Sequence, residues 1–189
     1  MIRDLIIKNR TCRRFYQDAA IERETLKGLV DLARLSASGA NLQSLKYILV
    51  CEPERNALVF PCLGWAGYLA DWPGPAEEER PAGYIVILGD KEISKNFFCD
   101  HGIAAQSILL GAREAGLGGC MHGSIKQEEL RKGLNIGERY EILLVISLGK
   151  PKEEVVLEEV GADGSVKYWR DEKDIHHVPK RRLDDIVVG

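Results

Sequence analysis

No stretch of this 189-residue chain is apolar for long enough to cross a membrane as a helix. Met1-Ile2-Arg3-Asp4 also opens without the apolar run of a signal peptide. The expectation is a cytoplasmic protein with no membrane partner. Charge of one sign is lacking too: 26 Lys and Arg against 29 Asp and Glu leave a net charge of −3. A nucleic-acid partner would favour a clustered basic surface, so none is expected. The five cysteines, Cys12, Cys51, Cys62, Cys99 and Cys120, are odd in number and show no C-x-x-C spacing. That argues against a zinc site and a disulfide framework, and for reduced thiols. His101, His122, His176 and His177 lack metal-ligand spacing, so no metal is expected and all four side chains read as ordinary surface or core residues. There is no G-x-S-x-G, H-E-x-x-H or P-loop. The run Gly116 to Gly123 misses G-x-G-x-x-G because Met121 holds the third glycine position.

Hydrophobic residues make up 45% of the chain, enough for one substantial core, and no linker divides it, so residues 1–189 read as a single domain. Ile2 to Asn9 reads as a short helix. From about Glu22, Leu26, Leu29, Val30 and Ala33 recur at helical steps, and the small, polar run from Ser36 to Asn41 ends that helix. Lys46 to Cys51, Tyr84 to Leu88 and Ile142 to Leu148 read as strands, the second buried on both faces. Pro53 to Pro81 reads as a broken helix and then an exposed loop. Asp100 is placed to cap a long helix ending at Gly116, apolar on more than one face and therefore buried in a core or a subunit interface. Gly116 to Gly123 reads as a glycine-rich loop, Ser124 with Gln127 as a capping box, and the remainder as extended and irregular.

The candidate chemistry is a set of anion-binding pieces. Arg10, Thr11 and Arg13 follow the first helix; arginine offers forked donors suited to phosphate, and threonine a hydroxyl. Ser38 to Gln43 offers small residues and amide side chains that both donate and accept. Gly118 to Gly123 lets backbone N–H groups approach a ligand closely. Lys180, Arg181 and Arg182 close the set. Taken alone, Arg10 to Arg13 reads better as a solvated basic turn and Lys180 to Arg182 as a floppy basic terminus, and the other two pieces are also found in ordinary loops and turns.

Their order carries more than their content. Asn9-Arg10-Thr11-Cys12-Arg13-Arg14-Phe15 resembles the R-R-S-x-R-x-F opening of the nitroreductase family. Ala37-Ser38-Gly39-Ala40-Asn41-Leu42-Gln43 resembles its P-S-x-x-N-x-Q-P-W loop. Gly116 to Gly123 resembles the loop after its central helix, and Pro179-Lys180-Arg181-Arg182-Leu183 its basic C-terminal motif. The resemblance spans nearly the whole chain. It implies an α+β fold, with a mainly antiparallel central sheet flanked by helices, in an intertwined homodimer with FMN at the interface. Arg10, Thr11 and Arg13 would then meet the phosphate, ribityl chain and pyrimidine side, with Arg13 near N1 and O2 stabilising the anionic reduced flavin. Lys180 with Arg181 or Arg182 would complete the phosphate site. Ala37, Ser38, Gly39 and Asn41 would come from the other subunit, and the His122–Gly123 backbone would face N5 and O4.

The implied activity is ping-pong hydride transfer at flavin N5, from NAD(P)H to a nitroaromatic, a quinone or another small acceptor. The cofactor carries that chemistry and no side chain need act as acid or base. Dehalogenation, flavin remodelling and a non-catalytic FMN-binding module are the alternatives. The sequence departs from the family where Asn9 replaces Arg, Thr11 replaces Ser and Ser44-Leu45 replaces Pro-Trp. The chain is also short for the family, which implies a reduced substrate lid.

Overall fold

The computed structural model describes residues 1–189. The helices are α1 (Ile2–Lys8), α2 (Arg23–Arg34), α3 (Pro53–Val59), α4 (Asp100–Glu114) and α5 (Gln127–Leu134). The strands are β1 (Phe15–Tyr16), β2 (Leu45–Val50), β3 (Gly83–Asp90), β4 (Gly118–His122), β5 (Tyr140–Pro151), β6 (Val155–Glu159), β7 (Trp169–Arg170) and β8 (His176–Lys180). The main sheet runs β1-β5-β3-β2, with β4 also paired to β5, and every pair in it is antiparallel. The fold is α+β.

Helices cover both faces of this sheet, so β3 is buried along its whole length, as its continuous apolar run predicts. Ile85 and Ile87 point to one face, where Leu26, Leu29, Ile108 and Ala112 of α2 and α4 meet them. Tyr84, Val86 and Leu88 point to the other, against Val59 of α3 and Leu130 and Leu134 of α5. The pairing of β3 with β5 shifts between Ile87 and Leu88, where Leu88 opposes Ile142 and Leu143 is skipped. Strict alternation would place Ile142 with Leu144 and Ile146. The extra residue turns it to the opposite face, into the α3–α5 core.

Local rules lose to tertiary contacts in several places. Cys99, not Asp100, is the N-cap position of α4, and Asp100 instead accepts hydrogen bonds from Ser38 Oγ at 2.7 Å and Gly39 N at 2.9 Å. Ser124 and Gln127 form no capping box, because the N-cap position of α5 is Lys126. Gly118 to His122 is a strand rather than a loop, and β5 continues through Gly149 to Pro151. The C-terminal part is not irregular: β6 pairs with β8 in parallel and β7 with β8 antiparallel. In the 53–81 segment, Glu79 is buried rather than part of an exposed loop. No helix is long and apolar enough to cross a membrane.

Glu79 is buried because it has partners. It accepts from Arg14 Nε at 2.7 Å and Nη2 at 2.8 Å, and Lys152 Nζ lies 2.9 Å away. The Arg14 hydrogen bonds, with help from Lys152, hold its carboxyl down from 4.5 to about 2. A depressed carboxyl stabilises the fold above its unfolded value, and that contribution is lost as pH falls through the folded value. Glu79→Gln is expected to cost roughly 1.5–3 kcal/mol at neutral pH. Denaturant titrations should show the gap between wild type and variant constant above about pH 5 and closing as pH drops from 4.5 toward 2.

Candidate functional site

The chain leaves α1 extended and runs alongside the edge strand β4: Thr11 bridges to Gly119, and Cys12 N–H donates to Gly119 O at 2.9 Å. This approach is close because β4 begins with two glycines. A Cβ on Gly118 would lie 2.9 Å from Pro151 Cγ and 3.1 Å from Cys12 Cβ. One on Gly119 would lie 2.7 Å from the backbone oxygen of Ser147 and 2.6 Å from Leu109 Cδ2. The glycines therefore serve packing of the main chain against the sheet edge.

Next to this edge lies a cavity of about 350 Å³. Arg10, Arg13 and Lys180 line it with three cations, Thr11 adds a hydroxyl, and no carboxylate is among its lining residues. Leu109 and Met121 give it an apolar side, and Tyr168 and His176 close it from the C-terminal segment. Arg10 donates to Ile6 O at 2.8 Å, while its Nε is buried with no partner. Arg13 is buried; its guanidinium lies over the Tyr168 ring, 4.7 Å from the centroid.

The other sequence candidates fall elsewhere. Ala37 and Ser38 line a second cavity, of about 310 Å³, with Gln43, Tyr47 and Asp100; no residue lines both. Ser38 Oγ donates to Asp100 and accepts from Gln43 N–H at 3.0 Å, and the Gly39 amide also binds Asp100, so these polar groups are engaged inside the loop. Ala40, Asn41 and Gln43 have φ of 48°, 54° and 51°, the left-handed region. Three such non-glycine residues in one short loop persist because Asp100 pins it. Arg181 is exposed, and Arg182 pairs with Glu159 at 3.4 Å; neither lines the cation-rich cavity.

His122 and Gly123 follow Met121 at the end of β4. The His122 ring is buried, edge-on to Trp65 at 4.6 Å. Its Nδ1 donates to Gly64 O at 3.2 Å, since a carbonyl can only accept, and Nε2 lies 3.0 Å from Ser147 Oγ. Burial pushes its pKa down to about 4, so it is a neutral, hydrogen-bonded core residue.

Tyr168 and His176 were missed as cavity residues. The one local signal is a clustering of aromatic and histidine side chains from Tyr168 to His177 in an otherwise polar stretch. What places them at the cavity is the β6–β8–β7 pairing, which sequence periodicity does not reveal.

The Nitroreductase family model matches residues 6–72 and 73–150. The chain belongs to the nitroreductase family. A protein of Archaeoglobus fulgidus named as an NADH dehydrogenase/NAD(P)H nitroreductase is 29% identical over 157 residues, covering 79% of this chain and 85% of its own length. An FMN-dependent nitroreductase of Clostridium difficile R20291 is 26% identical, with a TM-score of 0.63 over 82% of this chain and 89% of that one. A structure from Desulfovibrio desulfuricans with FMN bound aligns over 100% of this chain and 95% of its own, with a TM-score of 0.72 and 20% identity. The broad activity that goes with membership of the nitroreductase family is that of an oxidoreductase. Residues 151–189 lie beyond the matched region, yet they supply Tyr168, His176 and Lys180 to the cavity.

The close approach of the N-terminal segment to β4 gives a direct test. Gly119→Ala puts a methyl against a backbone oxygen that cannot swing away. It is expected to destabilise the protein by about 1–3 kcal/mol. Gly123→Ala, where a Cβ meets nothing within 4 Å, is expected to change stability by less than about 0.5 kcal/mol. Parallel thermal unfolding of the two variants checks both.

Proposed function

We propose that this chain is an FMN-dependent oxidoreductase that passes a hydride from NAD(P)H to a small acceptor such as a nitroaromatic or a quinone. The observation that carries this reading is the cavity beside β4, with three cations, a hydroxyl and no carboxylate. Such a donor set fits a phosphate joined to a polar chain: Arg10 and Lys180 for the phosphate, Thr11 for the chain. Arg13, held away from bulk water, would meet the anionic edge of the ring system. Two relatives support the reading: the C. difficile protein is named as FMN-dependent, and the A. fulgidus one as an NAD(P)H nitroreductase.

Bound FMN would supply the hydride chemistry, with donor and acceptor using one open face in turn. The chain's own part is to bind and orient. Arg10, Thr11 and Lys180 would fix the cofactor's polar end, the apolar side formed by Leu109 and Met121 would keep water from the ring, and Arg13 would keep positive charge beside it. The neutral, fully engaged His122 is not available to transfer a proton. Apoprotein mixed with FMN and freed of excess should keep a flavin absorbance band and oxidise NAD(P)H with parallel double-reciprocal lines. A protein that cannot be loaded with FMN would sink the reading, and intersecting lines would reject the shared face.

The homodimer belongs to the same proposal. The cavity holding Ala37 and Ser38 shares no residue with the cation-rich one, and in the proposed assembly the two candidate half-sites meet across two subunits. Apolar residues at both ends of the chain lack cover. Ile2 is 64% exposed, Leu183 69% and Val188 97%, so none of them is covered by its own subunit. A second copy would bury them. Sedimentation should give a dimer. Changing Lys180, Arg181 and Arg182 together to Ala should leave the dimer intact and, because Lys180 alone of the three lines the cavity, weaken FMN binding by roughly one to two powers of ten. A flavin-loaded monomer would reject the assembly, and unchanged FMN affinity would remove the tail from the site.

A further inference from the structure

We propose that His176 is a positioning residue for Arg13: its neutral ring accepts a hydrogen bond that aims the Arg13 guanidinium into the cofactor cavity. This rests on the FMN reading above and adds to it a role for the C-terminal segment beyond the family match.

Arg13 is held at three points. Its backbone N–H donates to Glu153 Oε2 at 2.7 Å, its guanidinium lies over Tyr168, and Nη1 sits 3.2 Å from His176 Nε2. A guanidinium has no lone pair, so in this last contact arginine donates and Nε2 accepts. That fixes the tautomer. His176 must be neutral, with its proton on Nδ1, which faces Glu153 Oε1 at 4.0 Å, beyond hydrogen-bond reach. Burial and the neighbouring cations Arg13 and Arg170 disfavour a charged ring, against the opposing pull of Glu153.

The ring is itself held in place. His176 is 1% exposed, its N–H donates to Glu154 O at 2.9 Å, and it stands opposite Val155 in β6 and Arg170 in β7. The Tyr168 ring packs against it with centroids 5.2 Å apart. An arginine side chain has four rotatable bonds, and an unheld guanidinium would sample many directions. The C-terminal sheet thus delivers an acceptor and an aromatic face to a cation carried by the N-terminal segment.

Two changes at one position separate positioning from packing. His176→Leu removes the acceptor and keeps the site apolar; His176→Gln keeps an acceptor oxygen at similar reach. Apoprotein is titrated with FMN, and the midpoint potential of the bound flavin is measured. His176→Leu is expected to weaken FMN binding about tenfold or more and to make the potential more negative, because the reduced cofactor loses a well-placed cation. His176→Gln is expected to restore both to near wild type. Wild-type values in His176→Leu, or equal impairment in both variants, would overturn the proposal. If the leucine variant does not fold, ¹⁵N spectra of the wild-type imidazole decide: a proton on Nδ1 and a bare Nε2 support it, and a proton on Nε2 refutes it. Failure of the wild type to take up FMN would instead strike the reading of function, while the tautomer would still judge the Arg13–His176 contact.

Discussion

One buried carboxylate joins the two ends of the chain at the cavity. The Glu153 side chain is fully buried. A charge in that position is strongly unfavourable unless it is paired and hydrogen-bonded. Glu153 meets the demand by taking the Arg13 amide on one oxygen and Arg170 Nη2, at 2.6 Å, on the other. Arg13 belongs to the segment that leaves α1, and Arg170 to the small C-terminal sheet. Neither connection is local, and no other carboxylate reaches both. Arg170 is clamped further by Trp72, 4.3 Å beneath its guanidinium, which draws the 63–76 loop into the same structure. Tyr68 of that loop adds a second tie, its N–H donating to Tyr168 Oη at 3.3 Å. The N-terminal segment and the C-terminal sheet thus meet at the cavity, and its lining stays positive because the Glu153 carboxylate is spent on joining them and does not line it.

That arrangement explains what could be seen in the sequence. The helices α2 and α4 and the strands β2, β3 and β5 follow from apolar periodicity, because each packs against one broad core. The cations Arg10, Arg13 and Lys180 stood out by type and order, and they do share one cavity. Legibility ended where a residue's job is set by something distant. Asp100 has the right chemistry for a helix cap, but the amide of Gly39 and the hydroxyl of Ser38 claim it, 61 and 62 positions away. Gly118 and Gly119 looked like loop residues because glycine is most often used for conformational freedom. Here the absence of a Cβ matters instead, since the backbone of Ser147 and the side chains of Cys12 and Pro151 fill the space. Glu79 sat in an acidic run that suggested solvent, and only its pairing with Arg14 and Lys152 shows why it is inside.

The two adjacent histidines of β8 show how far one strand can separate environments. Neighbouring side chains on a strand point to opposite faces. His176 turns inward to Arg13, Tyr168 and Glu153, where burial drives its pKa down to about 4. His177 turns outward. Glu158 and Asp171 flank its two ring nitrogens, and the hydrogen bond to Glu158, aided by the nearby Asp171 carboxylate, raises its pKa. Trp169 stacks flat on its ring, with centroids 4.2 Å apart and planes 10° apart. The outward ring therefore links β6, through Glu158, to β7, through Trp169, and works best with its proton on. The inward ring works only with one nitrogen bare. The two shifts run in opposite directions: the carboxylates beside His177 favour its protonated form, and burial favours the neutral form of His176. Reading the pair as two ordinary histidines leaves out what distinguishes them, since that distinction is made by the pleat of β8.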